Sequence, residues 1–168
     1  MTLRYAASEM SRMTDTQKNR VYVDSNVLIY AVEGVPAIAG PAKKLIGFLR
    51  ARKGMMCTSE IALAEVLAPS KREGAWPLHA KRRVYLDFLI WSRTVSLLPV
   101  TRDILIRTAD VRKSTKLKLL DAIHLISAVS HECTFLVSGD TDFKGMPPTL
   151  THVAPDENGV ESLLRVLA

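Results

Sequence analysis

The stretch that decides the fold reads Val21-Tyr22-Val23-Asp24-Ser25-Asn26-Val27-Leu28-Ile29-Tyr30. Its first three residues are β-branched or aromatic, and such a short apolar run is typical of a buried strand. Asp24 ends the run, Ser25 and Asn26 offer side chains that can cap a helix, and residues 27–32 continue as that helix. The stretch therefore predicts a strand that passes directly into a helix, with a carboxylate at the junction.

The same alternation of strand and helix continues along the chain. Further strands are predicted at residues 55–57, 95–100, 134–138 and 150–153, and helices at 42–53, 61–67, 77–93, 104–111, 119–130 and 160–167. Gly40 and Pro41 predict a break before the second helix, and Val84, Phe88 and Trp91 predict a core-facing stripe on the helix at 77–93. The alternation predicts a parallel sheet with helices on both faces.

Composition and charge narrow the class of protein. Apolar residues make up 48% of the 168 residues and charged residues 24%, which excludes a disordered chain. No apolar run approaches the roughly 18 residues that span a membrane, so no membrane association is expected. Residues 1–19 look like a flexible tail before a single domain at 20–168. The net charge of +6 favours an anionic partner.

The chain has two cysteines, Cys57 and Cys133, and both sit among apolar residues. Two cysteines form neither a disulfide framework nor a zinc site, so we expect buried thiols and a cytoplasmic protein.

Acidic residues fall where an open parallel sheet builds its working site, outside the carboxyl ends of the strands. Asp24 follows the first predicted strand, and Asp140 and Asp142 follow the fourth. Glu65 and Asp121 are single carboxylates among apolar residues of helices, and such placement is costly unless the charge is paired or bound to metal. The sequence predicts that these carboxylates cluster.

Each of these carboxylates also has a purely structural explanation. Asp24 could cap a helix, and Asp121 could interact favourably with a helix dipole. Asp140 could be a turn residue, and Glu65 could pair with a lysine or arginine. These explanations do not account for several carboxylates falling at the same edge of one sheet.

A carboxylate cluster favours a divalent cation. Two like charges 4 Å apart repel by about 4 kcal/mol at an effective dielectric near 20, and a cation removes that cost. Oxygen ligands select Mg²⁺ or Mn²⁺, and phosphodiester hydrolysis is the chemistry that uses such a site. Basic residues that could hold nucleic-acid phosphates form two groups in the sequence. The first basic group is Lys71, Arg72, Arg82 and Arg83, with Lys81 beside it. The second basic group is Arg112, Lys113 and Lys116, with Lys118 beside it.

Four motifs, in this order, resemble those of PIN-domain ribonucleases and, among them, VapC-type toxins of bacterial toxin–antitoxin pairs. They are the stretch at 21–30, the segment 61–67 with its glutamate, the acidic motif at 119–124, and the motif at 138–143. The resemblance covers residues 20–165. Two features depart from the family pattern: Ser138-Gly139 stands where a Thr-Asn or Thr-Asp pair is more usual, and the N-terminal extension lies outside it.

The resemblance implies a three-layer α/β/α fold with a five-stranded parallel sheet. It implies endonucleolytic RNA cleavage that depends on Mg²⁺ or Mn²⁺, with transfer RNA as the commonest target, a homodimer, and a cognate antitoxin. Asp24 and Asp121 would be direct metal ligands, and Glu65 and Asp140 would complete the set, directly or through water. Asp142 has a role that varies in the family. Ser25 and Asn26 would orient Asp24, and Ser138 would retain a hydroxyl group beside the acidic site.

Two other classes of function stay open at this point. A phosphatase or phosphoacceptor would use the aspartate after strand one as a nucleophile, but the dehalogenase-like pattern wants a second Asp where Asn26 stands. A non-catalytic RNA-binding module on the same fold would not need its acidic residues. His124 follows Asp121 by one turn, and a structural role on the inner helix face is favoured over that of a general base.

Overall fold

The computed structural model describes residues 19–34, 36–70, 74–140, 143 and 146–168. The strands are β1 (Val21–Val23), β2 (Met56–Ser59), β3 (Ser96–Leu98), β4 (Phe135–Val137) and β5 (Thr151–Val153). The helices are α1 (Ser25–Glu33), α2 (Pro36–Arg50), α3 (Ile61–Val66), α4 (Leu78–Leu86), α5 (Arg102–Ser114), α6 (Leu119–Ser130) and α7 (Glu157–Leu167), and a π-helical turn (Asp87–Trp91) follows α4. Except for Asn19, the predicted tail lies outside the described residues. No helix in the described ranges is long and apolar enough to cross a membrane.

The five strands form one parallel sheet in the order β3-β2-β1-β4-β5, with helices on both faces. Side chains alternate across β1, so that Val21 and Val23 pack in the core beneath α1, α2 and α7. Tyr22 points to the opposite face and packs with residues of α6, and α5 covers α6 through Ile104. The predicted three-layer α/β/α fold with a five-stranded parallel sheet is confirmed.

The central pair of strands, β1 and β4, positions the acidic residues. Val23 is in register with Val137, so the residues that follow them, Asp24 and Ser138, emerge side by side at the carboxyl edge. The chain runs from β1 outward to β3 and then crosses to β4 on the other side. Such a reversal of strand order opens a crevice at the carboxyl ends of the strands, where α/β proteins bind their ligands.

Helix α2 begins earlier than the sequence predicted. Gly40 and Pro41 were expected to separate two helices, but both lie inside α2. Pro36 occupies the first helical position, where no N–H is needed, and Pro41 removes only one later hydrogen bond. Ala42 and Leu45 are fully buried, and their packing compensates for that lost bond.

The predicted core stripe of the helix at 77–93 is wrong at two of its three positions. Phe88 is buried, but Val84 is 39% exposed and Trp91 is 61% exposed. The buried stripe instead runs through Lys81 and Tyr85. The last turn is π-helical, with the Ser92 N–H donating to the Asp87 carbonyl at 2.8 Å, and this wider turn changes the helical phase beyond α4.

A buried ion pair fixes α4 to the end of α1. Lys81 Nζ lies 3.1 Å from Glu33 Oε1, and the two side chains are only 6% and 9% exposed. The Tyr85 hydroxyl donates to the same Glu33 oxygen at 2.9 Å. A hydrophobicity pattern cannot reveal a lysine on the core face, because its burial depends on a partner 48 residues away in the sequence. Lys81 is therefore not available to a phosphate.

Replacing Glu33 with Gln leaves the Lys81 ammonium buried without its counter-charge. We expect a loss of about 3–5 kcal/mol in the free energy of unfolding, measured by urea denaturation. Lys44→Gln is the matched control, because it breaks an exposed pair with Glu161 and should cost about 0–1 kcal/mol. Equal effects of the two substitutions would contradict the structural role of the buried pair.

Candidate active site

Asp24 is held at the junction of β1 and α1. Its backbone is extended, with φ −66° and ψ 150°, and Asp24, rather than Ser25 or Asn26, is the residue that caps α1, as its structural explanation allowed. Its N–H donates to the Val137 carbonyl at 3.0 Å, which extends the pairing of β1 with β4 by one residue. The residue is only 2% exposed. A carboxylate is thus fixed where the two central strands end.

Neutral donors hold both oxygens of Asp24. The Ser138 hydroxyl donates to Oδ2 at 2.6 Å and accepts the Asp140 N–H at 3.1 Å. The Ser25 hydroxyl lies 3.1 Å from Oδ1, and the Asn26 backbone N–H donates to the same oxygen at 3.4 Å. Asn26 contributes its backbone, since its side chain faces solvent. The three residues that the resemblance placed beside Asp24 therefore all contact it.

Glu65 is brought to Asp24 by Ser25 and His124. Glu65 Oε2 lies 2.8 Å from Ser25 Oγ and 2.8 Å from His124 Nε2. The same imidazole nitrogen is 3.5 Å from Asp24 Oδ1. Ser25 has a single hydroxyl proton and sits between two carboxylates, so it can donate to only one of them at a time. Glu65 is 23% exposed, and it therefore lies at the mouth of the site.

A chain of buried hydrogen bonds holds His124 through Nδ1, the ring nitrogen that does not contact Glu65. Its Nδ1 lies 2.7 Å from the Tyr22 hydroxyl, which accepts the Ser59 N–H at 3.1 Å. Burial raises the pKa of Tyr22 far above its usual range, so Tyr22 stays a neutral phenol. Burial alone would lower the pKa of His124, but the hydrogen bond with Glu65 and the charge of Asp24 outweigh it and the pKa is raised. With both nitrogens engaged, His124 orients Glu65 rather than acting on a substrate.

Asp121 and Asp140 complete the acidic edge. Asp121 lies in the first turn of α6 and is partly exposed. Burial raises its pKa, and the charges of Asp140 and Asp24 raise it further, while Lys118 and His124 act in the opposite direction. Asp121 therefore senses two other carboxylates of the predicted set.

A separate cavity of about 770 Å³ lies between α2 and the helix made by α4 and the π-helical turn. Its walls include the exposed part of Trp91 and Val84, together with Phe88. Basic side chains at its rim are Lys43, Arg50 and Arg83. The cavity is therefore lined by apolar side chains together with three basic residues and Asp87, and it does not include the carboxylates of the acidic edge.

The PIN domain model matches residues 21–147 of the sequence. The chain belongs to the PIN domain family. This family is one of nucleases, and its nuclease members generally use divalent metal ions. A search of curated proteins found no match.

Two solved structures are similar to this PIN chain. A toxin–antitoxin complex from Klebsiella pneumoniae has a TM-score of 0.54 and 27% identity, over 78% of this chain and 95% of its own. VapBC2 from Rickettsia felis, bound to a DNA fragment from its promoter, has a TM-score of 0.57 and 16% identity, over 80% of this chain and 97% of its own. The second likeness shows the fold alone. The structural neighbours therefore include toxin–antitoxin complexes, in agreement with the resemblance noted in the sequence.

The donors at the carboxyl edge fit a hard divalent cation, although they do not yet converge on one point. Within the described ranges, no three His, Cys, Asp or Glu side chains are grouped as a metal site. Asp24 and Glu65 direct oxygens at the Ser25 hydroxyl, and Glu65 also contacts His124. Carboxylate oxygens are the ligands Mg²⁺ and Mn²⁺ prefer, and the pKa of Asp121 is raised first by burial and then by the charges of Asp140 and Asp24, which a cation would offset.

Some of the predicted site residues lie outside the described residues. These are Asp142 of the fourth motif, and Lys71 and Arg72 of the first basic group. The other basic residues are exposed but do not form one surface patch. Arg82 and Arg83 lie on α4, and Arg83 reaches the rim of the cavity.

The second basic group lies on the α6 side of the sheet. Arg112 donates to the Leu117 carbonyl at 3.4 Å, and Lys113 forms an exposed ion pair with Asp110 at 2.7 Å. Arg112 and Lys113 end α5, where the sequence predicted a basic loop, and Lys116 lies in the loop beyond it. Lys118 is the basic residue whose charge acts on Asp121. The structural role that the sequence favoured for His124 agrees with its contact with Glu65, whereas the action of Lys118 on Asp121 was not predicted, since Lys118 was named only beside a basic group.

Replacing Asp121 with Asn removes a carboxylate whose charged form the fold disfavours. Because the pKa of Asp121 is raised by folding, the stability that its protonated form contributes is present at low pH and lost as pH rises through that pKa. Without added metal, we expect D121N to be more stable than wild type at about pH 7 and the difference to shrink towards about pH 4.

Urea denaturation at the two pH values measures this difference. Asp103→Asn is the control, because Asp103 is an exposed carboxylate on α5 that pairs only loosely with Arg107. A destabilised D121N at neutral pH, or an equal gain in D103N, would contradict the repulsion inferred for the acidic edge.

Proposed function

We propose that this PIN protein is a metal-dependent endoribonuclease and the toxin of a toxin–antitoxin pair of the VapBC type. It would act in the cytoplasm, hydrolyse phosphodiester bonds of RNA and so inhibit translation, and transfer RNA is the proposed substrate. The observation that carries the proposal is the effect of neighbouring carboxylates on Asp121. Asp121 feels the charges of Asp140 and Asp24 at the carboxyl edge of the sheet, in a chain whose net charge is +6.

The proposed site contains carboxylates that would bind the metal and neutral side chains that orient those carboxylates. Asp24 and Asp121 would bind Mg²⁺ or Mn²⁺ directly, and Glu65 and Asp140 directly or through water, with Asp142 as an additional ligand. A bound divalent ion supplies an activated water and stabilises negative charge on the phosphate and on the leaving oxygen. Ser25 and Ser138 hold the Asp24 carboxylate in place, and His124 holds that of Glu65.

The RNA strand would approach from the exposed side of α6. Lys118 lies close enough to Asp121 to lower its pKa, and Lys116 and Arg112 lie in the same stretch of chain. Positive side chains beside an acidic site attract the phosphate backbone without opposing the binding of a cation. Arg82, Arg83, Lys71 and Arg72 form the first basic group, which is also proposed to bind RNA.

A phosphoacceptor or phosphatase role is disfavoured by the burial of Asp24. A nucleophilic aspartate must present a free oxygen to the phosphorus atom in line with the leaving group. Asp24 is only 2% exposed, and hydrogen bonds engage both of its oxygens. Its geometry suits a fixed ligand rather than an attacking group.

Cleavage of total cellular RNA by the purified protein tests the proposed nuclease. We expect discrete fragments with Mg²⁺ or Mn²⁺ and none with EDTA. Asp24→Asn and Asp121→Asn should each lower the rate by about 100-fold or more, because several kcal/mol of transition-state stabilisation are lost.

Asp103→Asn is the matched control for that experiment and should cleave at the wild-type rate, since it removes an exposed carboxylate on another helix. Normal cleavage by D121N would reject the site. Binding of RNA by folded wild type without cleavage in either metal would favour the non-catalytic RNA-binding module.

The proposed partner is an antitoxin, and the proposed place for it is the cavity beside Trp91. Its apolar walls suit apolar side chains, and Lys43, Arg50 and Arg83 at the rim suit acidic ones. The occupant would therefore be an antitoxin segment that combines apolar and acidic residues. The homodimer would use other surfaces, and α5 and α6 carry exposed Leu105, Ile106 and Leu119 for such a contact.

Trp91→Ser should leave RNA cleavage unchanged but weaken neutralisation by the antitoxin about tenfold or more. The reason is that a tryptophan that becomes buried in a complex commonly contributes more than about 1 kcal/mol to binding. The measurement titrates cleavage with the protein encoded beside this one in its genome. Val166→Ser is the control, because Val166 is an exposed apolar residue on α7, outside the cavity lining. Equal neutralisation of W91S and wild type would exclude the cavity.

A further inference from the structure

The only two cysteines of the chain meet in the core, away from the acidic edge. Cys57 Sγ and Cys133 Sγ are 3.4 Å apart, although 76 positions separate them in the sequence. Cys57 lies in β2, in register with Tyr22 of β1, and Cys133 lies in the connection between α6 and β4. The proposed hydrolysis uses neither thiol. Two sulfur atoms in contact are more than the small buried hydrophobes that the sequence predicted.

The two thiols differ in chemical role. Cys57 is fully buried in the sheet, and its Sγ also lies 3.6 Å from the Val21 carbonyl. Cys133 is 3% exposed, between the exposed Glu132 and the half-buried Thr134. Cys133 is therefore the less enclosed of the two thiols, with an exposed residue next to it in the chain.

The surroundings favour the thiolate at Cys133. A hydrogen bond from Cys57 lowers the pKa of Cys133, burial opposes this, and the charge of Arg20 lowers it again. The Cys57 pKa is raised by the same contact and by burial. Arg20 is held beside the loop because its Nη1 donates to the His131 carbonyl at 3.4 Å. The thiolate is the nucleophilic form of cysteine, so these contacts favour Cys133 as the attacking group.

We propose that Cys57 and Cys133 form a peroxide-reactive dithiol site that closes to an intramolecular disulfide. The Cys133 thiolate attacks one oxygen of hydrogen peroxide, the O–O bond breaks, and the sulfenic acid forms while the other oxygen leaves as water after taking a proton. Cys57 then attacks the sulfenic sulfur, the S–O bond breaks, and a second water leaves. Overall, two thiols and one peroxide give one disulfide and two waters, with two electrons passing from sulfur to oxygen.

The closure requires little rearrangement. The sulfur atoms must approach from 3.4 Å to about 2.05 Å, and Cys133 lies in a loop rather than in a strand. The bond would join β2 to the segment that leads into β4, across the central strand β1. It closes a long loop of chain, so we expect the oxidised protein to have a Tm several degrees higher than the reduced protein.

Treatment of the reduced protein with a small excess of hydrogen peroxide tests the site. We expect the number of thiols that react with Ellman's reagent in denaturant to fall from two to none. The intact mass should decrease by two hydrogens, the protein should stay monomeric in mass on a non-reducing gel, and dithiothreitol should reverse all three changes. Two remaining thiols, or a disulfide between two chains, would overturn the proposal.

Single variants test the order of the two steps. In Cys57→Ser, dimedone should trap a sulfenic acid on Cys133, whereas in Cys133→Ser the remaining Cys57 should stay unmodified. Labelling of Cys57 in preference to Cys133 would contradict the assigned roles. Circular dichroism checks the fold of each variant, and alanine replaces serine if the hydroxyl unfolds the core. Because none of these readouts involves RNA or metal, the result is independent of the proposed nuclease activity.

Discussion

The parallel pairing of β1 with β4 is the constraint on which the acidic site depends. It places Asp24 and Ser138 side by side although 113 residues separate them, and the Asp24 N–H continues the ladder to Val137. The site therefore exists only once the two halves of the chain have joined. Packing of β2 on the other edge of β1 brings Ser59 under Tyr22, and that contact supports His124 and, through it, Glu65.

The fold was predictable because its signals are local. The central strands β1 and β4 are short apolar runs, and Asp24, Thr101 and Asp156 cap the helices that follow them. The three-layer arrangement with five parallel strands came from the resemblance to PIN proteins, and the order of the strands was not predicted. The helix at 77–93 shows the limit of local patterns. Its phase depends on a π-helical turn and on Lys81, and Lys81 is buried because Glu33, on another helix, neutralises it.

The candidate site was predictable in part, for a related reason. Carboxylates after strands and among apolar helical residues are visible in any sequence, so Asp24, Glu65, Asp121 and Asp140 could be named. The contacts between them could not be, since Ser25 joins Asp24 to Glu65 on another helix, and His124 joins Tyr22, Asp24 and Glu65. The meeting of Cys57 and Cys133 was hidden for the same reason, because apolar neighbours in sequence do not reveal a partner in space.

The way in which the protein holds its carboxylates bears on their use. In the part of the chain that the structure describes, Asp24 and Glu65 form no ion pair with lysine or arginine, and hydroxyls, a backbone amide and His124 hold them. Meanwhile Lys81 pairs with Glu33, and Lys113 pairs with Asp110. A lysine bound to Asp24 would neutralise the charge that attracts a divalent ion, whereas a serine hydroxyl orients the carboxylate and leaves its charge in place. The absence of a lysine or arginine partner at Asp24 and Glu65, within the described residues, therefore leaves the charge of these two carboxylates available to a cation, while Lys118 acts on Asp121.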